Sequence, residues 1–181
     1  MDRVKSIDEI KLIPDTIGEA GIEKDLRVEP EDLAAVLGDQ DLRVDEPFFI
    51  HYEVDRRQEN IHVSVDISGR VHTNCSRCLS PMTYPVDLHL QSDYVPAPPD
   101  MEGELEAQRQ SAETGYYRRD ILLGRYIVSE LVLSLPIIYV CSEGCKGLCP
   151  QCGTNLNEGR CSCTRAGDPR FQVLGQLKNK L

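Results

Sequence analysis

The chain of 181 residues has room for one ordinary domain and a small appended module. Its 20 basic and 30 acidic residues leave a net charge of −10, which excludes a simple basic protein that coats nucleic acid by charge alone. Aromatics are only 6% of the residues and tryptophan is absent, so the core has to be aliphatic.

The first twenty residues hold no uninterrupted apolar run followed by a small-residue cleavage site, and they are too acidic for a transit peptide. The cytoplasm is the expected compartment. Residues 1–45 mix short apolar pieces with acidic loops. Within them Pro30–Gly38 predicts a short helix, with proline at its start, acids in the first turn and glycine at its end. Residues 47–94 predict β-structure. Phe48, Ile50, Tyr52 and Val54 alternate with other residues, as do Ile61, Val63, Val65 and Ile67, and later Val86, Leu88 and Leu90. Ser68-Gly69-Arg70 predicts a turn into Val71–Cys75, giving a meander of about four strands. Residues 92–115, with Pro96-Ala97-Pro98-Pro99 and then Glu102, Glu104 and Glu106, predict a long, mobile acidic loop.

Asp120 is the expected cap of a helix running to about Leu135. Leu123, Ile127 and Leu131 share one face, which Val128, Val132 and Leu135 widen. Pro136 ends it. The stretch Ile121–Val140 is the most apolar of the chain, but Arg125, Glu130 and Pro136 interrupt it. It therefore predicts a core helix and an extended segment rather than a membrane span. Between Cys141 and Cys163 glycines and cysteines replace large apolar residues. Asp168-Pro169-Arg170 then opens a terminal helix with Phe171, Leu174 and Leu177 on one stripe. The predicted organisation is an acidic body, residues 1–140, and a Cys-rich zinc module with the terminal helix, residues 141–181. The expected fold class is α+β: an antiparallel meander or open barrel, one long packed helix and a small zinc-stapled C-terminal module.

The eight cysteines carry the chemistry. Clustered thiols in a cytoplasmic chain point to metal or redox chemistry before structural disulfides. Cys149-Pro-Gln-Cys152-Gly153 is a zinc-knuckle sequence. A tight turn lets two thiolates face one metal, backbone N–H groups aim at the sulfurs, and Gly153 suits a position of positive φ. Cys161-Ser-Cys163 completes C-x2-C-x8-C-x-C, and four thiolates fit tetrahedral Zn2+ at about 2.3 Å per bond. The span has too few large apolar residues to fold alone, and metal binding on the order of 10–16 kcal/mol would supply the missing stability. Cys75-Ser-Arg-Cys78 and Cys141-x3-Cys145 form a second tetrathiolate site if the Ile137–Val140 segment joins the meander sheet and brings the pairs together. The alternatives are a C-x-x-C redox pair at Cys75 and Cys78, with Arg77 lowering a thiol pKa, or partly buried structural cysteines, or ligation shared with the first site. Redox pairs of the thioredoxin type usually open a helix in a βαβ pattern, whereas these flanks are hairpin-like with Pro81 close behind. One zinc ion is thus expected and two are allowed.

The histidines read as surface residues. His62 and His89 fall on the polar phase of their strands, and His51 has no cysteine nearby. His72 stands an odd offset from Cys75, which puts the two side chains on opposite strand faces. There is no phosphate-binding loop, dinucleotide fingerprint, nucleophile elbow or metalloprotease motif, so no catalytic residue is assigned. Charge is unevenly placed: residues 141–181 hold six basic and three acidic side chains, against 14 and 27 in residues 1–140. Arg160, Arg165 and Arg170 are candidate phosphate donors on the module.

Cys75-Ser-Arg-Cys78-Leu, the Ser134-Leu-Pro136 helix end, Cys145-Lys-Gly-Leu-Cys149-Pro-Gln-Cys152-Gly-Thr-Asn-Leu-Asn157, Cys161-Ser-Cys163 and Asp168-Pro-Arg170-Phe together resemble the YceD family, the large ribosomal RNA subunit accumulation proteins. The resemblance covers most of residues 45–181. It implies a role in the synthesis, processing or stability of large-subunit rRNA, and it supplies no molecular mechanism. The expected function is a non-enzymatic ribosome-biogenesis factor. Its expected partners are large-subunit rRNA or its precursor particle and a basic ribosomal protein, with no membrane and no small-molecule substrate. A thiol-disulfide or redox-sensing protein is the alternative. A zinc-ribbon transcription factor is disfavoured because the module lacks the dense basic surface that duplex DNA demands.

Overall fold

The computed structural model describes residues 2–4, 7, 10–37, 42–98 and 114–163. Six strands form one sheet in chain order: β1 (Asp2–Val4), β2 (Ile22–Val28), β3 (Phe48–Arg57), β4 (Asn60–Asn74), β5 (Pro81–Pro96) and β6 (Thr114–Tyr117). Helix α1 (Pro30–Leu37) joins β2 to β3, and α2 (Leu123–Ser134) follows β6. The class is α+β. β3 through β5 form the expected antiparallel meander of residues 47–94 with three strands in place of about four, and β2, not expected there, extends it; the sheet as a whole is mixed, since β1 runs parallel to β2 and β6 parallel to β5.

The long strands follow from alternation. On β3, Phe48, Ile50, Tyr52 and Val54 are buried while Phe49, Glu53 and Asp55 are exposed. On β4, Ile61, Val63, Val65, Ile67 and Val71 keep the same period of two. The turn predicted at Ser68-Gly69-Arg70 is absent: β4 runs straight through it, with Gly69 opposite Val86 of β5. Gly69 occupies an inward phase where the fully buried Phe48 ring fills the space a side chain would take. A Cβ there would lie 2.5 Å from two ring carbons. Gly69→Ala is therefore expected to overpack the sheet and cost about 1–3 kcal/mol, read as a fall in the denaturant midpoint with an unchanged slope.

Two further expectations change. Ser92–Pro96, read as part of the acidic loop, completes β5, and Thr114–Tyr117 pairs beside it, so only residues 99–113 of that loop lie outside the described residues. Residues 1–45 contain two strands beside the expected helix; on β2 only Leu26 and Val28 are buried, too short an alternation to read from sequence. Gly38 and the terminal helix from Asp168 lie outside the described residues.

Helix α2 buries Leu123, Ile127 and Leu131 against the sheet, with Val128 and Leu135 partly buried there. Val132, expected to widen this face, is 45% exposed. Asp120 is not its cap. Leu122 holds the cap position without a side-chain hydrogen bond, and the Gly124 N–H donates instead to the Ile10 carbonyl at 2.9 Å. A backbone acceptor from the N-terminal segment, itself paired through Leu12 and Ile121, satisfies the group that a carboxylate cap would have served. No helix among the described residues is long and apolar enough to cross a membrane.

Candidate metal centres

The first cysteine cluster begins where β4 ends. The inward phase of Val71 and Thr73 continues to Cys75, which is fully buried. The chain then turns through residues 75–80 into β5. The Cys75 N–H donates to the Ser80 carbonyl at 2.9 Å and the Leu79 N–H to the Cys75 carbonyl at 2.8 Å, with Leu79 in the left-handed region at φ 59°. This tight hairpin tip presents Cys75 and Cys78 together. The second pair arrives after α2. Ile137–Val140 does not join the meander sheet, the condition set for bringing the pairs together; Pro136 follows the helix end, and the segment is tied to the hairpin tip by single bonds. The Ser76 N–H donates to the Tyr139 carbonyl at 2.8 Å, and the Tyr139 N–H to Ser76 Oγ at 3.3 Å. The pairs meet all the same. Cys75 Sγ lies 3.8 Å from Cys145 Sγ and Cys78 Sγ 3.7 Å from Cys141 Sγ, and all four sulfurs fall within 4.8 Å of one another. We call this site A.

Site B repeats the same turn. The Cys149 N–H donates to the Thr154 carbonyl at 2.8 Å and the Gly153 N–H to the Cys149 carbonyl at 2.9 Å, with Gly153 at φ 73°. Position for position this is the hairpin of Cys75: the first cysteine bonds the carbonyl five residues on, and the residue after the second cysteine is left-handed. Leucine in place of glycine at that position hides the likeness in the sequence. Cys161 and Cys163 bring their sulfurs to Cys149 and Cys152, again all within 4.8 Å. The eight cysteines are thus gathered into two groups of four, all free, and each group has the donor set to hold a metal ion.

The electrostatics are those of crowded thiols. The Cys141 backbone N–H holds Cys75 down to about 6, and the Asn157 side-chain amide lowers Cys145. The neighbouring sulfurs of Cys145, Cys75 and Cys78 push Cys141 up to about 12. In site B the Thr154 hydroxyl and backbone lower Cys152 to about 6, and Cys152 in turn pushes Cys163 up to about 12. Thiols that ionise readily beside thiols that resist ionising are an arrangement a divalent cation resolves, since its charge favours every anion at once.

The redox reading of Cys75 and Cys78 fits this geometry poorly. Each has a close sulfur neighbour in the other pair, Cys75 is fully buried, and the motif sits on a hairpin rather than at a helix start. Arg77 helps to lower Cys75 through its backbone N–H, while its guanidinium donates to the Cys145 and Glu143 carbonyls at 3.3 and 3.5 Å. The histidines take carboxylate or hydroxyl partners on the strand surfaces: His51 with Asp25, His62 with Asp93, His89 with Asp66 and His72 with Thr83. Glu23, His51 and Glu53 also gather there, exposed, around a histidine whose Nδ1 is already held by Asp25. Arg160 is exposed on the site B loop, while Arg165 and Arg170 lie outside the described residues. Sequence reasoning missed three polar residues at site A, namely Ser80, Asn155 and Asn157. The one signal for the asparagines was their position in the Thr154–Asn157 run between two cysteine pairs.

The family match falls on this same region. The family described as "Large ribosomal RNA subunit accumulation protein YceD" matches residues 63–178. Uncharacterized proteins of Mycobacterium tuberculosis and Mycobacterium bovis are 31% identical over 129 residues, which is 69% of this chain and 61% of each relative. The "Large ribosomal RNA subunit accumulation protein YCED homolog 1, chloroplastic" of Arabidopsis thaliana is 33% identical over 64 residues, 35% of this chain and 20% of that protein. The matches therefore span less than two thirds of these relatives' own length. No solved structure matches. With most of its β4–β5 hairpin and both four-cysteine groups inside the matched span, the chain belongs to the YceD family.

Proposed function

We propose that this protein acts in the cytoplasm as a non-enzymatic, zinc-stapled factor that promotes accumulation of large-subunit rRNA. The observation that carries the reading is the family match over residues 63–178, which includes all eight cysteines. Zinc is the ion of choice on donor chemistry and size. A tetrahedron with metal–sulfur bonds of about 2.3 Å has edges of about 3.8 Å, and the two sulfur separations in site A are 3.8 and 3.7 Å.

Two surfaces support a role between RNA and protein. Arg160 stands exposed on the site B loop, with Arg165 and Arg170 next in sequence, and these three are the candidate contacts to rRNA phosphates. The face of the sheet opposite α2 is acidic. One cross-strand row reads Asp25, His51, Asp66, His89 over β2 to β5, and another reads Asp55, His62, Asp93 over β3 to β5. Asp25, Asp66 and Asp93 are each more than half exposed, and Asp25 and Glu53 hold the pKa of His51 above its ordinary value. Such a face repels phosphate and suits a basic ribosomal protein of the precursor particle.

The test is depletion of the protein with sucrose-gradient analysis. Large-subunit rRNA is expected to fall relative to small-subunit rRNA, and tagged protein to co-sediment with large-subunit precursors. Unchanged rRNA ratios together with sedimentation only at the top of the gradient would overturn the reading.

A further inference from the structure

The Thr154-Asn-Leu-Asn157 run lies within the chain segment of site B, yet its side chains reach site A. Asn157 Nδ2 donates to Cys145 Sγ at 3.4 Å and to Asn155 Oδ1 at 2.9 Å, while Asn157 Oδ1 accepts the Lys146 N–H at 2.8 Å. Two acceptors on one side of the amide and a donor on the other fix which atom is nitrogen. Asn155 continues the connection. Its Nδ2 donates to Ser80 Oγ at 3.4 Å, and that oxygen lies 3.4 Å from Cys78 Sγ. The backbones are joined as well: Leu148 and Asn155 form a bridge, the Leu156 N–H donates to the Gly147 carbonyl at 2.9 Å, and the Leu148 N–H donates to the Arg77 carbonyl at 3.1 Å. Two of the four sulfurs of site A are thus served, directly or through Ser80, by side chains that the site B loop carries.

We propose that Asn157 is the positioning residue that couples the two metal sites, so that loading site A pre-organises the loop of site B. This rests on the reading that both clusters hold zinc. When site A is loaded, Cys145 is a fixed thiolate, and the N–H of Asn157 has a fixed anionic acceptor. Charge-assisted bonds of this kind are stronger than neutral ones. The bond pins residue 157, between Cys152 and Cys161, so less chain entropy remains to be lost when site B closes. Coupling of binding free energies is reciprocal, so site B in turn tightens site A.

Asn157→Asp tests the bond. It keeps the acceptor for the Lys146 N–H and the side-chain shape, and turns the donor facing Cys145 and Asn155 Oδ1 into an oxygen, so the Cys75→Ser background is needed to separate the two contacts. The measurement is the zinc affinity of site B, by equilibrium competition with a chelator, in four full-length proteins: the parent, N157D, C75S and the double variant. In the parent, site B is expected to bind about tenfold more tightly than in C75S, where site A cannot close. N157D is expected to weaken site B about tenfold when site A is intact and to leave it unchanged in the C75S background. With cadmium-113 in both sites, N157D is also expected to move the resonance of site A, the one absent in C75S, and not that of site B. Equal loss in both backgrounds, or no loss in either, would overturn the coupling. A parent protein that binds fewer than two metal ions would instead overturn the zinc reading beneath it.

Discussion

Cys75→Ser is expected to lower bound zinc from two equivalents to one and to free the segment from residue 141 to 163 from the sheet while the sheet itself stays folded. Cys75 is the fully buried corner of site A; it accepts the Cys141 N–H at 3.4 Å and faces Cys145. A serine hydroxyl is a far weaker zinc ligand than a thiolate, and three remaining sulfurs leave the tetrahedron open. Structural zinc contributes on the order of 10–16 kcal/mol to small modules. Losing one of four ligands should therefore cost several kcal/mol locally. Beyond a few hydrogen bonds to the hairpin tip, apolar packing holds the segment weakly: among the described residues Cys75, Cys78 and Cys145 pack around site A with only Met82, Val140 and Leu148, a cluster separate from the main core of Phe48, Ile50, Val63, Ile67, Ile127 and Leu131. The sheet core contains none of the cysteines, so its far-UV circular dichroism should survive. Metal analysis reads the stoichiometry, and limited proteolysis reads the release, with new cuts expected between residues 135 and 163. Two retained equivalents, or unchanged protease resistance, would contradict this account of how the module is fastened.

What the sequence revealed and what it hid follow the range of the forces involved. β3 and the first half of β4 are legible because alternating burial is a local pattern, and Ile61, Val63, Val65 and Ile67 can face only one way. Gly69 misled because a glycine between polar neighbours has the composition of a turn. Its actual reason, the Phe48 ring against it, is a contact between strands. Asp120 misled in the same way. It has the chemistry of a cap, but the Ile10 carbonyl reached the helix start first, from a segment more than a hundred residues upstream. At the candidate metal centres, the grouping Cys149, Cys152, Cys161 and Cys163 could be read from spacing, since the whole group lies within 15 residues. Site A could only be posed as a condition, because its pairs are 63 residues apart at Cys78 and Cys141, and the four cysteines meet although Ile137–Val140 does not join the sheet. Both knuckle turns carry the same hydrogen bonds, yet only the one with Gly153 is recognisable; Leu79 accepts the same left-handed backbone with a side chain that gives no signal.

The two sites should also differ in how fast they release metal. Site A has three of its four cysteines buried, and its ligands come from two distant segments, so it opens only when the β4–β5 hairpin and residues 141–145 separate. Site B has Cys152 and Cys163 exposed and Cys161 half-buried, with all four ligands inside one short loop. Local opening of such a loop exposes little apolar surface and costs less than separating a packed segment from a sheet. A chelator in excess is therefore expected to remove one equivalent quickly and the second at least about tenfold more slowly. Mass-spectrometric mapping after a pulse of a thiol alkylating agent should find Cys152, Cys161 and Cys163 modified during the fast phase, and Cys75 and Cys78 only in the slow one. Because site B empties first, the slow phase reports site A without its neighbour. A variant unable to load site B, Cys161→Ser with Cys163→Ser, should reproduce that slow rate on its own. Release of both ions in one phase, or early labelling at Cys75, would mean that burial and chain connectivity do not set the order in which the sites open.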